Sequence, residues 1–119
     1  MQQCYVLVID DDDGIRELAV TALRNVGIAA VSVADTEAGL AVSQQAPPAV
    51  ILLDPMEVPL SHANFIQAYR QLPGPHAPIL LFSARSDAEE HAAAIGADGV
   101  ITKPFDLDDF VARIGQYLR

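Results

Sequence analysis

The chain has 119 residues, with 16 acidic and 7 basic side chains and a formal net charge of -9 at pH 7. This length suits one folded domain, and a single cysteine cannot form a disulfide within the chain. The negative charge argues against direct nucleic-acid binding by this segment. No basic and apolar leader is present, and no apolar run approaches the roughly 20 residues that span a bilayer, so we expect a cytoplasmic protein without a membrane segment.

Short apolar runs alternate with amphipathic segments along the whole chain. The runs are too short for helices and are bounded by glycine, proline or aspartate, as expected of strands buried on both faces of a sheet. The predicted strands are 5–9, 29–33, 50–53, 79–82 and 100–102. After each strand, apolar residues recur at helical spacing. They predict helices over about 15–26, 35–45, 62–72, 86–95 and 106–118.

Residues that favour helix ends stand at these boundaries. The terminators are Gly27 and Gly96, and the N-caps are Asp35 and Asp106. Ser86, with Glu89 three residues later, has the form of a capping box and predicts where the fourth helix begins. In the second helix, we expect Ala38, Ala41 and Val42 to face the core.

Five strands that alternate with five helices predict an α/β fold. We expect a doubly wound, five-stranded parallel sheet with helices on both faces, formed by one domain over residues 1–119. Ligands of such sheets bind just outside the carboxyl ends of the strands. The residues that follow the first, third, fourth and fifth strands are therefore site candidates: Asp10 and Asp11, Asp54, Ser83, and Lys103.

These side chains have the chemistry that phosphoryl transfer requires. At least three carboxylates at one edge repel each other unless a cation joins them, and an oxygen-only site with room for water suits Mg²⁺. Lys103, which is the only lysine, supplies a second positive charge, and Ser83 supplies a hydroxyl donor. Asp54 would be the nucleophile. The neighbouring acids Asp12 and Asp13 are interpreted as helix N-terminal residues that favour the helix dipole.

The whole chain resembles a receiver domain of two-component response regulators, of the chemotaxis type. The motifs that carry the resemblance are Val8-Ile9-Asp10-Asp11 followed by Ile15-Arg16, Leu52-Leu53-Asp54, Phe82-Ser83-Ala84, Gly96-Ala97-Asp98 and Lys103-Pro104-Phe105. The resemblance implies a flavodoxin-like (βα)5 sandwich with strand order 2-1-3-4-5. It also implies that Asp54 takes a phosphoryl group from the phosphohistidine of a sensor histidine kinase or a phosphotransfer protein.

Roles for the other candidates follow from the same resemblance. Asp11 is expected to bind Mg²⁺ directly and Asp10 largely through water, with the phosphoacceptor and the backbone carbonyl of Met56 completing the protein ligands. Ser83 is expected to be the switch hydroxyl and Lys103 the counter-ion of the phosphate. The domain would then be a signalling protein that catalyses only its own phosphorylation and dephosphorylation.

The sequence departs from the family pattern in two places. The loop after the acceptor has its second proline, Pro59, five residues after Asp54 instead of four, and lacks the usual Asp-Gly. We interpret the loop from Pro55 to His62 as rebuilt, with about one inserted residue. Receivers also carry Tyr or Phe three residues before the lysine, whereas this chain has Val100. The usual rotation of an aromatic ring is therefore not expected.

Two alternatives stay open at this point. A degenerate receiver would keep the fold as a phosphorylation-independent interaction module, and an aspartate-nucleophile phosphatase would need a second acid that Asp54-Pro55-Met56 lacks. The output is expected to be a downstream protein or a fused output domain, because the segment contains no output of its own. The face of the fourth helix, fifth strand and fifth helix is the family's usual contact surface and is compatible with a homodimer.

Overall fold

The computed structural model describes residues 5–54, 61–83, 87–103 and 106–118. Within these ranges, strands and helices alternate in the order β1 (Tyr5–Ile9), α1 (Asp13–Asn25), β2 (Ala29–Val33), α2 (Thr36–Gln45), β3 (Val50–Leu53), α3 (Ser61–Arg70), β4 (Ile79–Ser83), α4 (Ala88–Ile95), β5 (Gly99–Thr102) and α5 (Leu107–Tyr117). All strand pairs are parallel, and the sheet order is β2-β1-β3-β4-β5. The predicted doubly wound α/β fold is confirmed.

The three central strands are buried along their whole length, which explains their continuous apolar sequence. Every residue of β1, β3 and β4 is buried. Successive side chains point to opposite faces. On one face, Val8, Leu52 and Phe82 pack with Phe110 of α5. On the other face, Leu7 and Ile51 pack with aromatic side chains of α3. The sheet is therefore the middle of three layers.

Helix α2 packs on the sheet through small residues. Gly39 and Ser43 are its buried positions, while Ala41 is exposed, so the prediction that Ala41 faces the core is wrong. A Cβ atom at Gly39 would lie 2.5 Å from Cδ1 of Ile9. The helix can approach β1 this closely only because position 39 has no side chain. Val42 packs against the core as predicted, and Ala38 is half-buried, so the apolar spacing is wrong at Ala41 and misses the small buried residues.

Most helix ends are formed by the predicted residues. The Asp12 carboxylate accepts a hydrogen bond from the Ile15 amide at 3.0 Å, and Asp35 and Asp106 cap α2 and α5 in the same way. The N-cap position of α4 is Asp87, so the capping-box prediction places that helix start one residue early. Ser86 itself lies outside the described residues. No helix within the described ranges is long and apolar enough to cross a membrane.

Polar side chains near the amino edge of the sheet, where the strands begin, bond to the main chain. The hydroxyl of Tyr5, the first residue of β1, donates to the carbonyl of Ala46. The Asp98 carboxylate, just before β5, accepts a hydrogen bond from the amide of Ile79 at 2.8 Å. The Asp98 amide returns a bond of 2.7 Å to the Ile79 carbonyl. These bonds satisfy main-chain groups where the parallel ladder starts.

Candidate functional site

The carboxyl edge of the sheet, where the strands end, brings predicted site residues together. Backbone bonds fix their positions: the Asp54 amide donates to the Ile9 carbonyl at 2.8 Å, and the Lys103 amide donates to the Ser83 carbonyl at 2.9 Å. Asp10 directly follows β1 and is fully buried. The parallel sheet therefore carries Asp10, Asp54 and Lys103 to one place, although Lys103 is 93 positions after Asp10.

The ammonium group of Lys103 links two of the acids. Its Nζ atom lies 2.7 Å from Oδ2 of Asp10 and 3.1 Å from Oδ1 of Asp54. It also lies 4.7 Å from the centre of the Phe82 ring, a distance that permits a cation–π contact. The side chains of Lys103 and Asp54 are 17% and 15% exposed, so both are shielded yet still open to a ligand.

Burial and charge shift the protonation of this cluster. Burial raises the pKa of Asp54, the hydrogen bond and charge of Lys103 oppose this, and the charges of Asp10 and Asp11 add to the increase; the result is a raised pKa. For Lys103, burial acts to lower the pKa, but the bonds and charges of Asp10 and Asp54 outweigh it, so its pKa is raised. Lys103 therefore stays protonated at neutral pH.

Three carboxylates are placed so that one cation could join them. Asp10, Asp11 and Asp54 each offer an oxygen, and these oxygens lie within 4.8 Å of one another. Hard divalent cations prefer such oxygen ligands, so the donor set fits Mg²⁺. The two oxygens of Asp10 already accept bonds, Oδ2 from Lys103 and Oδ1 from the Asp12 amide at 2.9 Å. The Asp11 side chain is exposed.

The other predicted residues have different outcomes. Ser83 is the last residue of β4, is 1% exposed and lies beside Lys103 through the backbone bond. Met56 and the rest of the rebuilt loop up to residue 60 lie outside the described residues. Val100 is 9% exposed and packs with Leu81 and small residues of α4. No aromatic ring occupies position 100.

Asp12 and Asp13 serve the helix N-terminus, as predicted. Asp12 is the N-cap of α1, and Asp13 lies in the first turn, where it forms an ion pair with Arg16. Both side chains are exposed. Only two of the four consecutive aspartates therefore belong to the carboxylate cluster.

Two residues beside the cluster were not predicted as site residues. Arg16 donates from Nη1 to the carbonyl oxygen of Asp10 at 2.7 Å. Its position in the first turn after four acids is a signal that sequence reasoning could have used. Phe82 lies under Lys103 and stacks on Phe110 with ring centres 5.9 Å apart. Nothing in its apolar strand distinguishes Phe82 from ordinary core residues.

Proteins of similar sequence include transcriptional regulatory proteins. The chain is 35% identical to the transcriptional regulatory protein CseB of Streptomyces avermitilis over 120 residues, which covers 99% of this chain and 50% of that protein. It is 31% identical to the probable transcriptional regulatory protein TcrX of Mycobacterium tuberculosis, covering 99% of this chain and 51% of that protein. The chain thus spans about half the length of these curated relatives.

Solved structures of similar fold include response regulators. The chemotaxis response regulator CheY4 of Vibrio cholerae superposes with a TM-score of 0.85 and 27% identity, covering 98% of this chain and 100% of that one. A putative response regulator from Chloroflexus aurantiacus gives a TM-score of 0.86 and 26% identity over 98% of each chain. The sequence model of the response regulator receiver domain matches residues 6–115. The chain therefore belongs to the receiver domain family of two-component response regulators.

Proposed function

We propose that Asp54 accepts the phosphoryl group in a two-component phosphorelay. The donor would be the phosphohistidine of a sensor histidine kinase or phosphotransfer protein. The observation that carries this proposal is the contact of one ammonium group, that of Lys103, with both Asp10 and Asp54 at the carboxyl edge. This contact supports the proposal because a carboxylate that could act as a nucleophile, a cation and a second acid meet where parallel α/β sheets bind ligands.

The transfer forms one bond and breaks another. An Oδ atom of ionised Asp54 attacks phosphorus, the new P–O bond forms, and the P–N bond to the donor imidazole breaks. The bonding electron pair leaves with the imidazole nitrogen. Lys103, kept protonated by its acidic neighbours, can stabilise negative charge on the phosphoryl oxygens. Hydrolysis of the aspartyl phosphate by water would return Asp54 and release phosphate, which makes the domain a catalyst only of its own phosphorylation state.

The carboxylates fit a Mg²⁺ site in the same place. Following the family resemblance, we assign Asp11 and Asp54 as direct ligands and Asp10 as a residue that acts through water; the bonds from Lys103 and the Asp12 amide hold the Asp10 carboxylate in place. The family resemblance adds the backbone carbonyl of Met56. When bound, Mg²⁺ supplies positive charge to the transferring oxygens.

Ser83 is assigned as the hydroxyl that responds to the phosphoryl group. Its support is its place at the end of β4, where its own carbonyl is bonded to the Lys103 amide. A change at Ser83 would therefore be coupled through the backbone to the residue that neutralises the phosphate. With Val100 in place of an aromatic residue, the signal must leave through the backbone or through other side chains.

The recipient of the signal is a downstream protein or a fused output domain. The surface formed by α4, β5 and α5 is the proposed contact face, and a homodimer through it is a further part of the proposal. The net charge of -9 argues against direct nucleic-acid binding by this segment. A degenerate receiver is not favoured, because the acids and the lysine needed for phosphoryl transfer come together.

The test is phosphorylation by acetyl phosphate in the presence and absence of Mg²⁺. Intact-mass measurement should show the gain of one phosphoryl group by the wild type and none by Asp54→Asn. Asp109→Asn is the matched control, because it removes one exposed carboxylate from α5. It should be labelled like the wild type. Labelling of Asp54→Asn at the wild-type level, or no Mg²⁺-dependent labelling of the wild type, would contradict the proposal.

A further inference from the structure

Arg16 makes an unusual contact for a residue on the first turn of a surface helix. Its side chain is only 17% exposed, because the guanidinium group folds back over the loop between β1 and α1. Nη1 donates to the carbonyl of Asp10 at 2.7 Å, while Nη2 pairs with the carboxylate of Asp13. The group thus spans the loop that carries the carboxylates of Asp10 and Asp11.

The Asp10 carbonyl belongs to the peptide unit that joins Asp10 to Asp11. Holding this oxygen fixes the plane of that peptide and hence the direction in which the Asp11 side chain leaves the backbone. A second bond acts from the other side, where the Asp12 amide donates to Oδ1 of Asp10 at 2.9 Å. Asp11 is therefore held between two anchored peptides while its own carboxylate stays exposed.

Arg16 does not itself attract a cation, because its side chain is positively charged. A guanidinium group near a metal site repels the metal, but here it is paired with Asp13, whose side chain is 91% exposed. The ion pair cancels much of the field that Arg16 would exert at a distance, and solvent screens the remainder. The larger effect of Arg16 is therefore its hydrogen bond to the Asp10 carbonyl, in which the donor is charged.

We propose that Arg16 is a positioning residue for the cation site, which it preorganises by fixing the Asp10–Asp11 peptide. This inference rests on the proposed Mg²⁺-dependent function. It assigns Arg16 no contact with the phosphoryl group or with the metal. Loss of Arg16 should therefore weaken Mg²⁺ binding without greatly changing the rate of phosphorylation once Mg²⁺ is saturating.

The experiment compares Arg16→Met with Arg113→Met. Arg113 is an exposed residue of α5, so its removal changes the net charge by the same amount. Mg²⁺ affinity is measured by NMR titration, from the amide shifts of residues 10–13, and phosphorylation by acetyl phosphate is measured as a function of Mg²⁺. We expect Arg16→Met to raise the Kd for Mg²⁺ about 10-fold, the lower end of the range for groups that orient metal ligands.

The two measurements separate positioning from other roles. For Arg16→Met, the Mg²⁺ concentration that gives half the maximal rate should rise with the Kd, while the plateau rate stays close to that of the wild type. Arg113→Met should match the wild type in both quantities. Arg16→Lys keeps one charged donor for the Asp10 carbonyl but lacks the second nitrogen that pairs with Asp13 in the wild type. Its Kd for Mg²⁺ should therefore lie between those of the wild type and Arg16→Met.

Each failure has a distinct meaning. If the wild type binds Mg²⁺ and Arg16→Met binds it as tightly as Arg113→Met, the role of Arg16 is overturned while the proposed function stands. A fall in plateau rate at unchanged Kd also overturns positioning. If the wild type shows no Mg²⁺-dependent shifts, the metal site fails, and the Arg16 inference fails with it. Should Arg16→Met not fold, Arg16→Lys provides the same comparison.

Discussion

The two edges of the sheet use similar polar residues in opposite ways. Near the amino edge, the side chains of Tyr5 and Asp98 bond to main-chain groups, and Asp98 forms in addition a longer, exposed ion pair with Arg70 at 3.4 Å. At the carboxyl edge, Lys103 bonds to other side chains, those of Asp10 and Asp54. A side chain bonded to the main chain completes the fold, whereas charged side chains bonded to each other can exchange partners when a ligand arrives. Substitutions should therefore affect stability at the first edge and chemistry at the second.

Among substitutions that keep Asp54, the largest expected effect is that of Lys103→Met at the carboxyl edge. It removes the one ammonium group that contacts both acids, so the phosphorylation rate should fall by about 10²–10³, as when a preorganised donor to developing charge is removed. The rate is measured with acetyl phosphate at saturating Mg²⁺. Arg113→Met is the charge-matched control, and circular dichroism checks the fold. If folded Lys103→Met is phosphorylated at the wild-type rate, substitutions at the carboxyl edge do not affect the chemistry as proposed.

At the amino edge, Asp98→Ala should reduce stability without affecting phosphorylation. It leaves the amide of fully buried Ile79 without the carboxylate acceptor, which costs about 1–3 kcal/mol of unfolding free energy. Asp98→Asn keeps a carbonyl oxygen as acceptor and should lose less. Urea unfolding measures both variants. A slower phosphorylation rate in folded Asp98→Ala, or equal losses for the two variants, would contradict this assignment.

The smallest effect is predicted for Tyr5→Phe, and it depends on pH. The substitution removes one hydrogen bond and should cost about 1 kcal/mol near neutral pH. Burial, with a contribution from Tyr69, raises the pKa of Tyr5 above its ordinary value of 10.0. The folded state thus holds the phenolic proton more tightly than the unfolded state does. The corresponding stability is fully present below pH 10.0 and is lost as the pH rises through the folded-state pKa.

Thermal unfolding across the alkaline range measures this difference. The wild type should lose stability more steeply than Tyr5→Phe once the pH exceeds 10.0. Phosphorylation of Tyr5→Phe at neutral pH should equal that of the wild type. If the two proteins lose stability equally as the pH rises above 10.0, folding does not raise the pKa of Tyr5 and the prediction is wrong.

Much of the architecture could be predicted because it depends on patterns local to each segment. The run Val50–Leu53 is apolar at every position because both of its faces are covered, and Asp54 follows it directly. Once the strands are parallel, their ends must share one edge, which brings Asp54 and Lys103 together before any coordinate is known. The acid cluster and its cation were accessible from the sequence for this reason.

Features that depend on a partner far away in sequence could not be predicted. The burial of Gly39 in α2 depends on its close approach to Ile9, and small residues carry no periodic apolar signal. The bond from Arg16 is a different case, because its partner, the Asp10 carbonyl, is only six positions away, and the four acids before Arg16 were a signal that helical spacing alone does not use. The pairing of Lys103 with Asp10, in addition to Asp54, likewise required the geometry of the sheet.

The separation of Lys103 and Asp10 in the sequence has a consequence for how the chain folds. The two residues are 93 positions apart, and β1 and β5 are separated in the sheet by β3 and β4. Contacts of such long range carry a larger loop-closure entropy cost than contacts between neighbouring elements. At every stage of folding before β5 docks, the acids at the ends of β1 and β3 lack their ammonium partner. Docking of the last strand is therefore the step at which the site acquires its charge balance.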